Sequence, residues 1–202
     1  MHKTSYDRMN WFKNNYISGK KVLKILDVGS LDTSETNYNY KSIFNNPNWS
    51  YTGLDCEEGY NVDIVVEDIY NWHEIKSESY DVIISGQLFE HLEFFWLTMA
   101  EIERVLKPGG FCCIIAPSEG PKHGVSDTDC YRFCKDGMAT LAKYADFEIL
   151  HVSTNKEGKP WCDSCLVARK PKSNVKGVTD LEIRMGNLEN KVDVILDSLK
   201  GK

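Results

Sequence analysis

Lys24-Ile25-Leu26-Asp27-Val28-Gly29-Ser30 decides the fold. An apolar run from Val22 to Val28, with β-branched members, stops at a glycine, and a polar turn follows. A run this short and apolar suits a strand buried on both faces, as in the middle of a parallel sheet. Gly29 lacks a Cβ, so backbone at the strand's carboxyl end can approach a ligand closely. Asp27 puts a carboxylate at the same edge, and ligands of open α/β sheets bind outside the carboxyl ends of the strands.

Further strands follow the same plan. Trp49–Asp55 and Val62–Asp68 read as the second and third, each ending on an acid, and Tyr80–Ser85 reads as the fourth. Asp27, Asp55 and Asp68 thus fall along one rim, where carboxylates can grip a nucleoside. Asp55 can accept both hydroxyls of a ribose, as the corresponding acid does in dinucleotide-binding folds. Asp68 can accept from an exocyclic amine such as that of adenine, with Cys56 and Ile69 as apolar faces for the base. Gly29, Ser30 and Ser85 complete the expected cofactor set.

Working outward, residues 5–17 read as an amphipathic helix, with Tyr6, Met9, Trp11, Phe12, Tyr16 and Ile17 on its apolar side. A short helix is expected to end across Tyr40–Phe44. A long one is expected from about Leu88 to Leu106, stopped by Lys107-Pro108-Gly109-Gly110. Strands at Phe111–Ala116, Phe147–Ser153 and Ser164–Arg169 and a helix at Asp136–Ala145 follow. A loop from 117 to 134 is long enough to be functional. Strands alternating with helices, with an antiparallel pair at the end, make an α/β three-layer sandwich. Residues 1–172 form this domain. Beyond it Val178, Leu181, Met185, Leu188, Val192, Ile195 and Leu199 are spaced alternately three and four apart. That heptad seam predicts a short coiled coil within 173–202, and with it a homo-oligomer, a dimer first of all.

Composition narrows the function. The chain has 202 residues, 42% of them hydrophobic, enough for one full core, and a net charge of -6. An acidic protein lacks the basic footprint of general nucleic-acid binding. No apolar run can span a bilayer, and the polar N-terminus lacks a signal-peptide core. Seven cysteines is an odd number, and Cys112-Cys113 lie inside an apolar strand, so reduced thiols in a cytoplasm are expected. Cys162 and Cys165, with Cys130 and Cys134, make only one short-spaced pair, too little for a zinc site. No metal is expected.

The segments Leu26-Asp27-Val28-Gly29-Ser30, Tyr51–Asp55, Asn61–Asp68, Tyr80–Ser85, Glu90-His91 and Glu103–Gly110 together resemble class I S-adenosylmethionine-dependent methyltransferases. The resemblance covers roughly residues 20–170. It implies a Rossmann-like, seven-stranded, mostly parallel sheet with one reversed strand, and S-adenosylmethionine as donor, leaving as S-adenosylhomocysteine. It also implies Asp27 and Gly29 near the methionine part, Asp55 on the ribose and Asp68 on adenine. The family's glycine-rich turn continues with further glycines, whereas Ser30-Leu31-Asp32 follows Gly29 here. The loop from Ala116 to His123, continuing through Asp129–Phe133, is similar to that of a bacterial subgroup associated with surface-glycan biosynthesis.

Methyl transfer needs a nucleophile in line with the methyl group, and a hydroxyl acceptor also needs a base. His91, at the start of the helix after the fourth strand, and His123, in the long loop, are the candidate catalytic residues. Asp127 and Arg132 beside His123 are candidates for holding substrate. The expected function is methyl transfer to a small-molecule or glycan-linked hydroxyl. The alternatives are a non-catalytic cofactor-binding scaffold that recruits a partner through the C-terminal helix, and a nucleic-acid methyltransferase. The second is disfavoured by the charge and by the lack of an Asn/Asp-Pro-Pro-aromatic motif after the fourth strand.

Overall fold

A computed structural model describes residues 2–32, 38–123 and 128–172. Asp127 and the heptad seam at 178–199 lie outside the described residues. The ordered elements are α1 (Lys3–Phe12), β1 (Leu23–Val28), β2 (Trp49–Asp55), β3 (Ile64–Val65), β4 (Tyr80–Gly86), α2 (Phe95–Val105), β5 (Leu106–Ala116), α3 (Lys135–Tyr144), β6 (Glu148–Thr154) and β7 (Ser164–Arg169). The seven strands form one sheet in the order β3-β2-β1-β4-β5-β7-β6. β1 to β5 pair in parallel, and β7 runs antiparallel between β5 and β6. This is the Rossmann-like sheet with one reversed strand.

Side chains alternate across the central strands and supply two cores. Leu26, Val28, Ile83, Cys112 and Ile114 join Trp72, Met99, Ile102, Met138 and Leu141 on the face covered by α2 and α3. Ile25, Val82, Ile84, Cys113 and Ile115 join Met9, Phe12, Tyr40 and Phe44 on the other, beneath α1 and a 3₁₀ turn at Tyr40–Ser42. Both faces of β1 are therefore dry, as its unbroken apolar run requires.

Several boundaries differ from expectation for local reasons. The helix expected from Leu88 begins only at Phe95, after a 3₁₀ turn at Phe89–His91. The carbonyl of Glu90 accepts from the backbone N–H groups of Cys130 and Tyr131 at 2.7 and 3.1 Å, and the N–H of Phe94 donates to the Tyr70 hydroxyl. The helical bond between residues 90 and 94 is thereby replaced at both ends. The strand expected over 62–68 shrinks to Ile64–Val65, because Val66 turns its side chain fully into the core. Leu106 pairs with Tyr80, so the Lys107–Gly110 stretch belongs to β5 and is not a stop between elements. At Tyr40–Phe44 only the 3₁₀ turn forms.

Candidate functional site

The carboxyl ends of β1 and β4 open onto a cavity of about 120 Å³ lined by Asp27, Gly29, Ser30, Leu31, Asp32, Asn39, Tyr40, Asn61, Gly86 and Gln87. Gly29 takes φ 78°, and its N–H and that of Ser30 both donate to the Leu54 carbonyl, which folds the turn back over β2. Asp27 is 3% exposed. The Tyr51 hydroxyl donates to its Oδ2, and the Asn61 amide supports that hydroxyl at 3.2 Å and the Ser30 carbonyl at 3.1 Å. Burial outweighs the Tyr51 hydrogen bond and lifts the Asp27 carboxyl to about 7, with the nearby Asp55 charge adding to the rise. The native state therefore holds this proton more tightly than the unfolded chain. Its contribution to stability is full below the ordinary carboxyl range and is lost as pH climbs from there through about 7.

Two buried polar atoms on this wall, Ser30 Oγ and Asn61 Oδ1, have no partner among the described residues. Unpartnered buried polar atoms are costly, and facing a cavity they suit a polar ligand. Asp55 lies on the same rim, its Oδ2 accepting from Leu31 N–H at 2.9 Å and its Oδ1 from Cys56 N–H at 2.8 Å. Each oxygen keeps a second lone pair. Asp68 is exposed and caps its own turn, accepting from Tyr70 N–H at 2.8 Å. Cys56 is exposed and feels the charges of both Asp55 and Asp68, so the three stand close together. Ile69 packs against the larger core. Ser85 points elsewhere: it is fully buried and donates to the Val28 carbonyl at 2.9 Å. The next two residues, Gly86 and Gln87, line the cavity in its place.

Gln87 holds the wall opposite β1. Its side chain meets His2 Nε2 at 2.9 Å, Ser5 Oγ at 3.2 Å and Asp163 Oδ1 at 3.2 Å, while Ser5 Oγ meets the Tyr40 hydroxyl at 2.6 Å. The start of α1 thus closes the cavity. Three residues past Gln87, Glu90 is wholly buried, and neither carboxylate oxygen has a hydrogen-bond partner among the described residues. Burial lifts its carboxyl to about 8. His91 Nε2 lies 3.7 Å and His123 Nε2 3.9 Å from Glu90 Oε1. The two candidate histidines, 32 positions apart in sequence, are thus neighbours, with ring centroids 5.0 Å apart.

The loop that carries His123 is firmly held. Ser118 and Glu119 N–H donate to the Trp161 carbonyl, Phe133 N–H donates to the Pro117 carbonyl, and the Trp161 ring lies 4.4 Å from the His123 ring. Arg132 donates to both oxygens of Asp129, at 2.5 and 2.8 Å, and to the Pro121 carbonyl at 2.7 Å. Its guanidinium holds Asp129 well below the ordinary carboxyl range. The expected substrate-holding Arg132 is thus engaged within its own loop. The four cysteines weighed for zinc do not converge: Cys162 and Cys165 are buried, while Cys130 and Cys134 are exposed. Tyr40, Gln87 and Asp163 join the site without having been singled out in the sequence, and Tyr51, Asn61 and Glu90, noted there only within family-like segments, join it as well.

Residues 26–114 match the family model described as a methyltransferase domain. Among solved structures, the chain is similar to a Burkholderia thailandensis 1,6-didemethyltoxoflavin N1-methyltransferase with 1,6-didemethyltoxoflavin and S-adenosylhomocysteine bound, at 16% identity over 83% of this chain and 78% of that one, TM-score 0.62. A putative methyltransferase from Bacillus halodurans aligns at 14% identity over 84% and 100% of the two chains, TM-score 0.61. The [4+2]-cyclase SpnF aligns at 16% identity over 83% and 81%, TM-score 0.61. No curated protein matches the sequence.

Proposed function

We propose that the chain is a class I S-adenosylmethionine-dependent methyltransferase, a reading supported by the match of residues 26–114 to a methyltransferase-domain model, and that it methylates a hydroxyl of a small-molecule or glycan-linked acceptor. The observation that carries this reading is the meeting of His91, His123 and buried Glu90 three residues past the cavity wall at Gln87. A hydroxyl must shed a proton as it is alkylated, and an imidazole with a bare nitrogen is suited to take it. The methyltransferase crystallised with 1,6-didemethyltoxoflavin supports a small-molecule acceptor; that protein is named for methylation at nitrogen, and the hydroxyl rests on the histidines here. The resemblance of the 116–133 loop supports the glycan link. Seven unpaired cysteines support a reducing compartment such as the cytoplasm, and among the described residues no helix is long and apolar enough to cross a membrane. The heptad spacing at 178–199 supports a dimer.

S-adenosylmethionine supplies a sulfonium methyl group when bound. In this reading Asp55 accepts the ribose hydroxyls with its spare lone pairs. Ser30 and Asn61 satisfy their orphaned oxygens on the methionine part, and Asp27 faces its ammonium. Cys56, Asp68 and Ile69 frame adenine. An ammonium beside Asp27 favours the ionised carboxyl, so below about pH 7 binding must expel a proton. Affinity for S-adenosylhomocysteine is expected to climb toward tenfold per pH unit below that point and to level off above it. A flat calorimetric profile between about pH 5.5 and 8 would take Asp27 out of contact with the ammonium.

Turnover is the decisive test, because a protein of the same fold bears the name of a cyclase. Screening hydroxylated sugars with labelled donor, and weighing the products, identifies the acceptor. His91→Ala and His123→Ala are expected to cut the rate by about 10²–10⁴-fold while leaving S-adenosylhomocysteine affinity nearly unchanged. Undiminished turnover in both variants would remove the histidines from the reaction.

A further inference from the structure

We infer that Glu90, His91 and His123 form a binding site for a divalent transition-metal cation of the zinc or manganese kind. The three residues offer one carboxylate oxygen and two imidazole nitrogens, all within 4.8 Å of one another. Two histidines with one carboxylate are a donor set that first-row divalent metals accept, with further positions left open.

Three features besides proximity support a cation. Glu90 is 0% exposed, and both its oxygens lack a hydrogen-bond partner among the described residues. A carboxylate so placed is costly unless something positive reaches it. The nearest guanidinium, that of Arg132, already serves Asp129. Second, His91 Nδ1 lies 2.7 Å from the Thr128 carbonyl. A carbonyl only accepts, so Nδ1 carries the ring proton and Nε2 turns a bare lone pair toward Glu90. Third, His123 Nδ1 lies 3.5 Å from Asp129 Oδ2 and 3.4 Å from Arg132 Nη2. The Arg132 guanidinium can only donate, which leaves the His123 proton on Nε2 in the cation-free protein; a cation on Nε2 displaces it, and a proton on Nδ1 then points to Asp129 in the carboxylate–histidine–metal arrangement common at such sites.

The spacing is also right. Bonds of about 2.1 Å in a tetrahedron put ligand atoms about 3.4 Å apart. The two imidazole nitrogens stand 3.7 and 3.9 Å from Glu90 Oε1 and the three ligand atoms lie within 4.8 Å of one another, so closing the site draws the two imidazoles together by roughly an ångström. The histidine side chains keep 25% and 30% of their exposure, so the open positions face solvent while Glu90 stays dry. With both Nε2 atoms on the cation neither imidazole acts as the base, and an acceptor oxygen taken into an open position would instead have its pKa lowered by the cation. That catalytic consequence rests on the methyl-transfer reading above, whereas the binding itself does not. Such a site departs from the metal-free expectation of the sequence.

The test is calorimetry on the full chain, stripped with chelator and titrated with Mn²⁺ and separately with Zn²⁺. Mn²⁺ is included because thiolates compete for it poorly, which sets aside the exposed cysteines. One cation per chain is expected, with Glu90→Gln and His123→Ala each weakening it by at least about tenfold. Glu90→Gln keeps the side-chain shape, and His123→Ala lies in a loop, so a folding failure in one leaves the other as the reporter. Absence of stoichiometric binding, or binding unchanged in the variants, overturns the site. S-adenosylhomocysteine titrated into the same samples separates the two ideas. Cofactor binding without metal binding rejects the cation alone, and loss of cofactor binding by the unaltered chain rejects the methyltransferase reading instead.

Discussion

Asp55→Ala is expected to weaken S-adenosylhomocysteine binding by about 100-fold or more. Two charge-assisted hydrogen bonds to a ribose, each contributing about 1.5–3 kcal/mol, correspond to that range or beyond. Asp55 also organises its own turn by accepting from Leu31 and Cys56 N–H, and the alanine variant frees both donors. Asp55→Asn separates the two roles. Its amide oxygen can still accept from the Leu31 backbone, so the turn persists while the negative charge is gone. An affinity unchanged in Asp55→Ala would place the ribose elsewhere.

Gly53→Ala is expected to be the most damaging single methyl group in the domain. A Cβ at this position would lie 1.9 Å from the Asn61 carbonyl oxygen and 2.5 Å from Ser30 Oγ. The first obstacle is backbone, in a residue already at φ 74°, and it cannot swing aside as a side-chain tip could. The turn is further pinned by Gly53 N–H donating to Asp63 Oδ2 at 2.8 Å and Asp63 N–H donating to the Gly53 carbonyl at 2.9 Å. Overpacking of this kind costs about 1–3 kcal/mol or more, which lowers the melting temperature by roughly 2–12 °C in a domain of this size. Cofactor affinity should fall as well, because Asn61 supports the Tyr51 hydroxyl that holds Asp27. A variant with native melting temperature and native affinity would show that the 59–63 turn is softer than its contacts imply.

The carboxyl-end rim was legible because it is written in local contrasts. Apolar runs stop at Asp27-Val28-Gly29 and at Leu54-Asp55, and a two-residue pattern reads directly as a strand and its end. The opposite wall of the cavity was not legible. Gln87 and Asn61 are polar residues in turns, both with positive φ, and nothing periodic marks them. The Gln87 partners Ser5 and Asp163, and Tyr40 bonded to Ser5, come from distant parts of the chain, brought together only by the sheet order. Glu90 illustrates the same limit. An acid within a presumed helix reads as a solvated face, and its burial follows only once the returning loop binds its carbonyl through Cys130 and Tyr131. The pairing of His91 with His123 likewise depends on that loop, whose grip on Trp161 no spacing rule foretells.

The closure of the cavity by α1 bears on how the protein is made. Thr4 Oγ1 donates to Asp163 Oδ2 at 2.8 Å across a separation of 159 residues, and Ser5 and His2 reach Gln87 from the same short segment. On a ribosome adding about 5–20 residues per second, the first helix waits roughly 8–30 s for its docking partner to emerge. Through that interval the nascent chain holds Asp27 and Asp55 but has no finished seat for the nucleoside, so ligand can stabilise this domain only after its last strands have been translated.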